Sequence, residues 1–246
     1  NFLIIRGLFL FINNSLFFKL TSSPIRRLVI SYTGLKAIWI SASDVFTHTS
    51  LVVYWFELEE NNKFSNIKLG INIGPNKDSS DRIKDYTKLI REFAKYADYL
   101  AINISSPNTP NLRKLHSDKN FKNLIISIKK EINKLNNCPP ILVKISPDLS
   151  NTELKKIIKE TVKHKLHGLI ISNTTIKRNV KSKSKKETGG LSGEPLFEES
   201  TKVLIMARKI LNDFGSRISI IATGGIYDGK SAYIKILCGA DLIQLY

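Results

Sequence analysis

Between Ala101 and Leu115 the chain reads AINISSPNTPNLRKL, an apolar run that breaks into hydroxyl and amide side chains held between two prolines. Groups of the same kind recur at the ends of other apolar runs: Asn72 and Gly74, Lys144 to Asp148, Asn173 to Thr175, and Gly224 with Gly225. The set holds amides (Asn72, Asn103, Asn108, Asn173), hydroxyls (Ser105, Ser106, Thr109, Ser172, Thr174), one lysine (Lys144) and glycines. It holds no carboxylate pair, no Ser/His/Asp set and no metal cluster. An Asn side chain offers a donor pair and an acceptor, which suits the edge of a flat heteroatom-rich ring such as a pyrimidine or an isoalloxazine.

Lys144 lies inside a run that is otherwise apolar, so its ammonium must face something anionic or be neutralised. One reading is charge stabilisation of a reduced flavin or an enolate-like transition state. The other is a lysine that snorkels from a strand end. TGGLSGEPL (188–196) and IIATGGIYDG (220–229) are glycine signals of the kind that cradle a phosphate with backbone N–H groups, although glycines also serve ordinary turns.

These residues need elements to hold them. From Ile67 onward the pattern is regular. IKLGINI (67–73), YLAINI (99–104), PILVKI (140–145), GLIISN (168–173), ISIIAT (218–223) and DLIQLY (241–246) are expected strands. Helices are expected between them, over about 81–96, 121–135, 152–164, 199–211 and 230–237. Near-continuous apolar strands alternating with helices indicate a parallel sheet covered by helices. An open doubly wound sheet and a barrel both satisfy that pattern. Polar residues recurring at successive strand ends favour the α/β (β/α)8 TIM-type barrel, where such ends converge on one site.

At 246 residues the chain is long enough for one such domain. Its 38 basic against 21 acidic residues give a formal charge of +17. The lysines are scattered among Asn and Ile along helix-like segments, which reads as solvated helix faces, and no nucleic-acid partner is expected. Cys138 and Cys238 stand in unrelated contexts, without a disulfide framework or a CxxC knuckle. Of His48, His116, His164 and His167 only the last two have helical spacing, and no metal site is read. Residues 1–66 are an unassigned N-terminal segment. Its apolar runs fall short of the roughly 18 residues of a spanning helix. Residues 2–20 suit an interfacial amphipathic helix, part of a targeting segment, or a core helix or strand pair.

Taken in order, NISSPNTPNLR, LVKISPDL, ISNTT, TGGLSGEPL and ATGGI with GADLIQLY closely resemble the quinone-dependent (class 2) dihydroorotate dehydrogenases, over about Ile67 to Tyr246. The combination is far more specific than any one motif. The resemblance implies an FMN-containing barrel domain over 67–246 that oxidises dihydroorotate to orotate in pyrimidine synthesis. It further implies a membrane quinone as final acceptor and peripheral association with a bacterial or mitochondrial inner membrane.

Residue by residue, the resemblance makes Ser106 the catalytic base, where the soluble class 1 enzymes carry cysteine. A serine needs a hydrogen-bonded route for its proton, and Thr109 is the neighbour expected to provide it. Asn103, Asn108, Asn173 and Thr174 match substrate-ring contacts, with Asn103 touching the flavin too. Asn72, Lys144 and Ser172 match flavin contacts, and Gly193, Gly225 and Tyr246 match the FMN loops and phosphate site.

The six expected strands correspond to the family's third to eighth. The first two, with their flavin and substrate loops, have no recognisable match in residues 1–66, where LVISY, AIWISAS and LVVYWFEL are the stretches that could supply them in divergent form. Other readings are a different FMN-dependent barrel reductase, or a catalytically inactive fragment of the dehydrogenase.

Overall fold

In the computed structural model the described residues are 4–5, 28–30, 36–42, 67–76, 79–178 and 188–245. The strands are β1 (Ile4–Ile5), β2 (Leu28–Ile30), β3 (Lys36–Ala42), β4 (Ile67–Ile73), β5 (Tyr99–Asn103), β6 (Ile141–Ile145), β7 (Gly168–Ile171), β8 (Ser219–Thr223) and β9 (Leu242–Gln244). They form one sheet in the order β1-β9-β8-β7-β6-β5-β4-β3-β2. All adjacent pairs are parallel except β2 with β3. The helices are α1 (Arg82–Phe93), α2 (Asp118–Ile132), α3 (Asn151–Lys163), α4 (Phe197–Asp213) and α5 (Gly229–Leu237).

From β4 to β9 the alternation of strand and helix is that of a (β/α)8 barrel, incomplete as described. The six expected strands are all present, with ends shifted by at most a few residues. α2 begins before Phe121 and stops at Ile132, because Lys134 N–H and Leu135 N–H reach back to Glu131 and Ile132 carbonyls in a tighter turn. AIWISAS falls on β3, which pairs in parallel with β4 from Lys36↔Ile67 to Ala42↔Ile73. LVISY falls on β2, which runs antiparallel to β3 and so does not serve as a barrel strand. LVVYWFEL lies outside the described residues. β1 falls within the 2–20 segment and pairs in parallel with β9.

Local chemistry sets the helix starts. Asp81 accepts from Lys84 N–H at the head of α1. Capping boxes, Ser150 with Glu153 and Asp228 with Ser231, open α3 and α5. α4 begins with no side-chain cap at Leu196. Among the described residues no helix is long and apolar enough to cross a membrane.

Two apolar layers hold the sheet. The larger joins the helices to one sheet face, through residues such as Tyr86, Ile90 and Phe93 against Ile71, Leu100 and Ile102. The smaller gathers Ala101, Leu142, Ile170 and Ile221, with Tyr99 and Leu242 packed on it. Side chains alternate along a strand. Asn103, Lys144, Thr223 and Gln244 lie two residues beyond Ala101, Leu142, Ile221 and Leu242, so they extend this second face toward the C-terminal strand ends. An apolar floor is thus topped by a polar rim.

Candidate active site

The rim is built by register as well as alternation. Asn103 pairs with Lys144 across β5 and β6, and Thr223 with Gln244 across β8 and β9. Asn72 (2% exposed) and Lys144 (6%) are buried although polar. Gln244 is equally enclosed, and its Oε1 has no hydrogen-bond partner among the described residues. Ser172, also buried, follows a cis peptide bond from Ile171; its N–H donates to Thr223 O at 2.9 Å and its hydroxyl to Asn173 O at 3.0 Å.

A tight amide–hydroxyl network joins the loops after β5 and β7. Asn103 Oδ1 accepts from the Ser105 hydroxyl (2.9 Å) and N–H (3.2 Å). Asn173 Nδ2 donates to Ser105 Oγ at 3.0 Å and to Asn103 Oδ1 at 3.4 Å, while Asn173 Oδ1 accepts from Thr174 N–H at 2.8 Å. Tyr86, on the buried face of α1, donates its hydroxyl to Asn103 O at 2.7 Å and fixes the strand end from behind. Burial holds that phenol far above its ordinary range, so it stays a donor.

Ser106 follows directly, and its Oγ accepts from Asn108 N–H at 3.2 Å. A backbone donor there favours negative charge on the oxygen. Thr109 O accepts from Leu112 N–H, which turns the chain into the short helical stretch Leu112–His116.

The TGGLSGEPL loop closes over the same place. Thr175 and Leu191 exchange both backbone hydrogen bonds, at 3.1 and 2.7 Å. A Cβ on Gly190 would collide with Thr174 Oγ1, and one on Gly189 would come within 3.3 Å of Asn108 Oδ1. Gly193 has φ of 76° just before the uncapped start of α4. Gly225, with φ of 75°, packs so closely on Phe197 that a Cβ would lie 2.3 Å from Phe197 N and Cα. Gly193 and Gly225 therefore flank one helix start. Tyr246 lies outside the described residues.

Three charged residues bind these parts together: Arg113 and Lys235 were not singled out in the sequence, and Asp148 was noted only as part of a polar strand end. Arg113 donates from Nε to Ser105 O (3.1 Å), from one terminal nitrogen to Asp148 (2.7 Å) and from the other to Thr174 O (3.0 Å). Asp148 also accepts from the Thr175 hydroxyl and from Ile176 N–H. Burial alone would raise its carboxyl; those donors and Arg113 hold it below the ordinary range. Lys235, fully enclosed, donates to Ser200 Oγ at 2.5 Å and to Phe197 O at 3.4 Å beneath the start of α4. Arg113 and Asp148 stand in the motifs NLR and SPDL, where a charge beside small polar residues is the available signal.

The arrangement suits a flat ring ligand carrying a phosphate. Lys144 and the strand-end amides offer donors and acceptors of the kind a ring edge needs, and Gly193 and Gly225, both at positive φ, lie at the start of α4, where Gly225 has no room for a side chain. FMN is compatible with that donor set: Asn72, Asn103, Lys144 and Ser172 are the residues that would hold its ring, and Gly193 and Gly225 those that would flank its phosphate.

Comparison with known proteins points the same way. A sequence model described as "Dihydroorotate dehydrogenase" matches residues 46–246, beginning upstream of Ile67. A Mesorhizobium japonicum protein named dihydroorotate dehydrogenase (quinone) is 47% identical over 180 residues, 72% of this chain and 49% of that protein. The mitochondrial rice (Oryza sativa subsp. japonica) protein of the same name is 44% identical over 185 residues, 72% of this chain and 39% of that protein. The crystal structure of the Eimeria tenella dehydrogenase in complex with ferulenol superposes with a TM-score of 0.74 at 34% identity, covering 80% of this chain and 57% of that one. The chain thus spans about half the length of the curated relatives it matches. With the strand-end motifs, the parallel β/α core and a family match over residues 46–246 in agreement, the chain belongs to the dihydroorotate dehydrogenase family.

Proposed function

We propose that this chain forms the flavin- and substrate-binding part of a quinone-dependent dihydroorotate dehydrogenase, oxidising (S)-dihydroorotate to orotate in pyrimidine synthesis. The observation that carries the reading is the bonded set Asn103–Ser105–Asn173 beside Ser106, at the mouth of a parallel strand layer. Residues 67–246 are the FMN-binding domain in this reading.

When bound, FMN would supply the acceptor for the hydride that leaves C6 of the substrate. Ser106 takes the C5 proton, so that the ring loses one proton and one hydride and gains the C5=C6 double bond. A serine is a weak base, and the N–H of Asn108 on its Oγ favours the deprotonated form. Thr109, three residues on, is the proposed proton outlet. Lys144 supplies positive charge where negative charge builds up, and Asn103, Asn108, Asn173 and Thr174 hold the ring edge.

The names of the relatives support a quinone as the final acceptor, and the rice protein's name supports a mitochondrial setting for some members. Peripheral attachment to a bacterial or mitochondrial inner membrane goes with that acceptor.

The test is spectroscopic. Purified protein should be yellow with FMN absorbance, and anaerobic dihydroorotate should bleach it. Ser106→Ala should keep the flavin and bleach far more slowly. A colourless, well-folded preparation counts against the proposal. A second reading, an incomplete barrel that does not turn over, draws on the antiparallel placement of β2. It predicts a yellow protein that dihydroorotate leaves unbleached.

A further inference from the structure

We propose that Arg113 is a positioning residue that sets the serine loop and the ring-gripping loop against one another. Its guanidinium is held by three loops at once: the one after β5 through Ser105 O, the one after β6 through Asp148, and the one after β7 through Thr174 O. Each of the three nitrogens has its own acceptor. Such charge-assisted bonds are about twice as strong as neutral ones.

The two carbonyls are not arbitrary. Ser105 O belongs to the rigid peptide unit whose nitrogen is that of Ser106, so fixing the oxygen fixes the plane from which the Ser106 side chain departs. Thr174 O belongs to the unit leading into Thr175, whose own N–H and carbonyl pin the glycine loop at Leu191. Asp148 completes the clamp, since it holds Arg113 with one oxygen and engages the Thr175 hydroxyl and Ile176 N–H as well. Arg and Asp are 20% and 12% exposed, so solvent screens the pair weakly. A lysine carries the charge but lacks the planar fork, and cannot serve three acceptors held in these directions.

The inference rests on the assignment of Ser106 as the base, and the experiment separates the two. Hydrogen exchange is measured on the unliganded chain, then orotate affinity and anaerobic flavin reduction on the FMN-bound protein. Arg113→Met should speed exchange at 104–112 and at 172–176 together. It should weaken orotate about tenfold and slow reduction at saturating dihydroorotate by about a hundredfold, the scale of a 1 Å misplacement. Flavin retention should be unchanged. Arg113→Lys should fall between parent and Arg113→Met in all three readouts, and it carries the test if Arg113→Met does not fold. Exchange that rises in only one loop, or orotate affinity within twofold of the parent, overturns the clamp. If Ser106→Ala bleaches at the parent rate while Arg113→Met still loosens both loops and weakens orotate, the base assignment fails and the clamp stands.

Discussion

Lys235 Nζ lies 2.5 Å from Ser200 Oγ, in a place closed to solvent between α5 and the first turn of α4. Ser200 in turn donates to Gly224 O at 2.9 Å, and Lys235 Nζ sits 4.8 Å from the Phe197 ring centre. One ammonium therefore underpins both the helix start and the Gly224–Gly225 turn. Burial lowers this lysine to about 7 from its ordinary 10.5.

That depression makes stability depend on alkaline pH. Between about 7 and 10.5 the unfolded chain binds the proton more tightly than the folded one, so folding is disfavoured at the low end and relieved as pH rises. Lys235→Met removes the titrating group. The parent should gain on the order of 2–3 kcal/mol relative to this variant between pH 7 and 9.5. Urea unfolding of both proteins at several pH values checks it, and parallel slopes across that range would refute the assignment.

His116 is buried beside the clamp and works at the other end of the scale. Burial first, and the neighbouring Arg113 second, lower its imidazole to about 4. The folded protein keeps it neutral while the unfolded chain protonates it near 6.5, so stability is retained above 6.5 and lost as pH falls toward 4. At pH 5 the loss attributable to this residue is about 2 kcal/mol. His116→Phe should lose less stability than the parent between pH 7 and 5 by about that amount, as read from denaturant midpoints.

The elements from β4 to β9 were legible because each strand is nearly continuous in apolar residues and each helix repeats them at helical spacing, as in Tyr86, Leu89, Ile90 and Phe93. The polar strand ends were legible for a related reason: Asn103 and Lys144 interrupt otherwise apolar runs, where a polar side chain must have a purpose. The roles of Arg113, Asp148 and Lys235 were not. Each is one charge among many, and what sets it apart is long-range: acceptors 8, 35 and 61 residues from Arg113, and a serine 35 residues from Lys235. Thr223 and Gln244 were missed because a strand-end hydroxyl or amide shows its face only once the sheet fixes alternation. LVISY was one of three stretches offered for the two missing barrel strands; its β2 runs antiparallel instead, a direction that three apolar residues do not encode.

Gly225 gives a sharp test of the cradle at α4. Its φ of 75° is strained for any residue with a Cβ, and an added methyl would meet Phe197 backbone atoms at 2.3 Å. Gly225→Ala must push the turn off the helix, at about 2–4 kcal/mol in stability. Gly229, by contrast, has open space where a Cβ would go, so Gly229→Ala serves as the control. Loss of FMN affinity in Gly225→Ala alone, measured by flavin fluorescence on dilution, is the expected outcome. Equal affinities would remove this turn from the phosphate site.

The last prediction turns on Asn173, whose Nδ2 donates to two oxygens, Ser105 Oγ and Asn103 Oδ1, while its Oδ1 takes the Thr174 N–H. The amide orientation is thereby fixed by its neighbours, since only the nitrogen can face Asn103 Oδ1. Asn173→Asp keeps the shape but turns an acceptor toward that oxygen and adds negative charge at a site proposed to bind an anionic ring. Asn173→Ala removes the donor and leaves room. If the network holds the substrate ring, both variants should keep the fold, and orotate affinity should fall by about 1–2 kcal/mol for Ala and by more for Asp. Orotate titrations of both variants at pH 7.5 read the two effects, and an Asp variant that binds as well as Ala would show that this amide does not face the ligand.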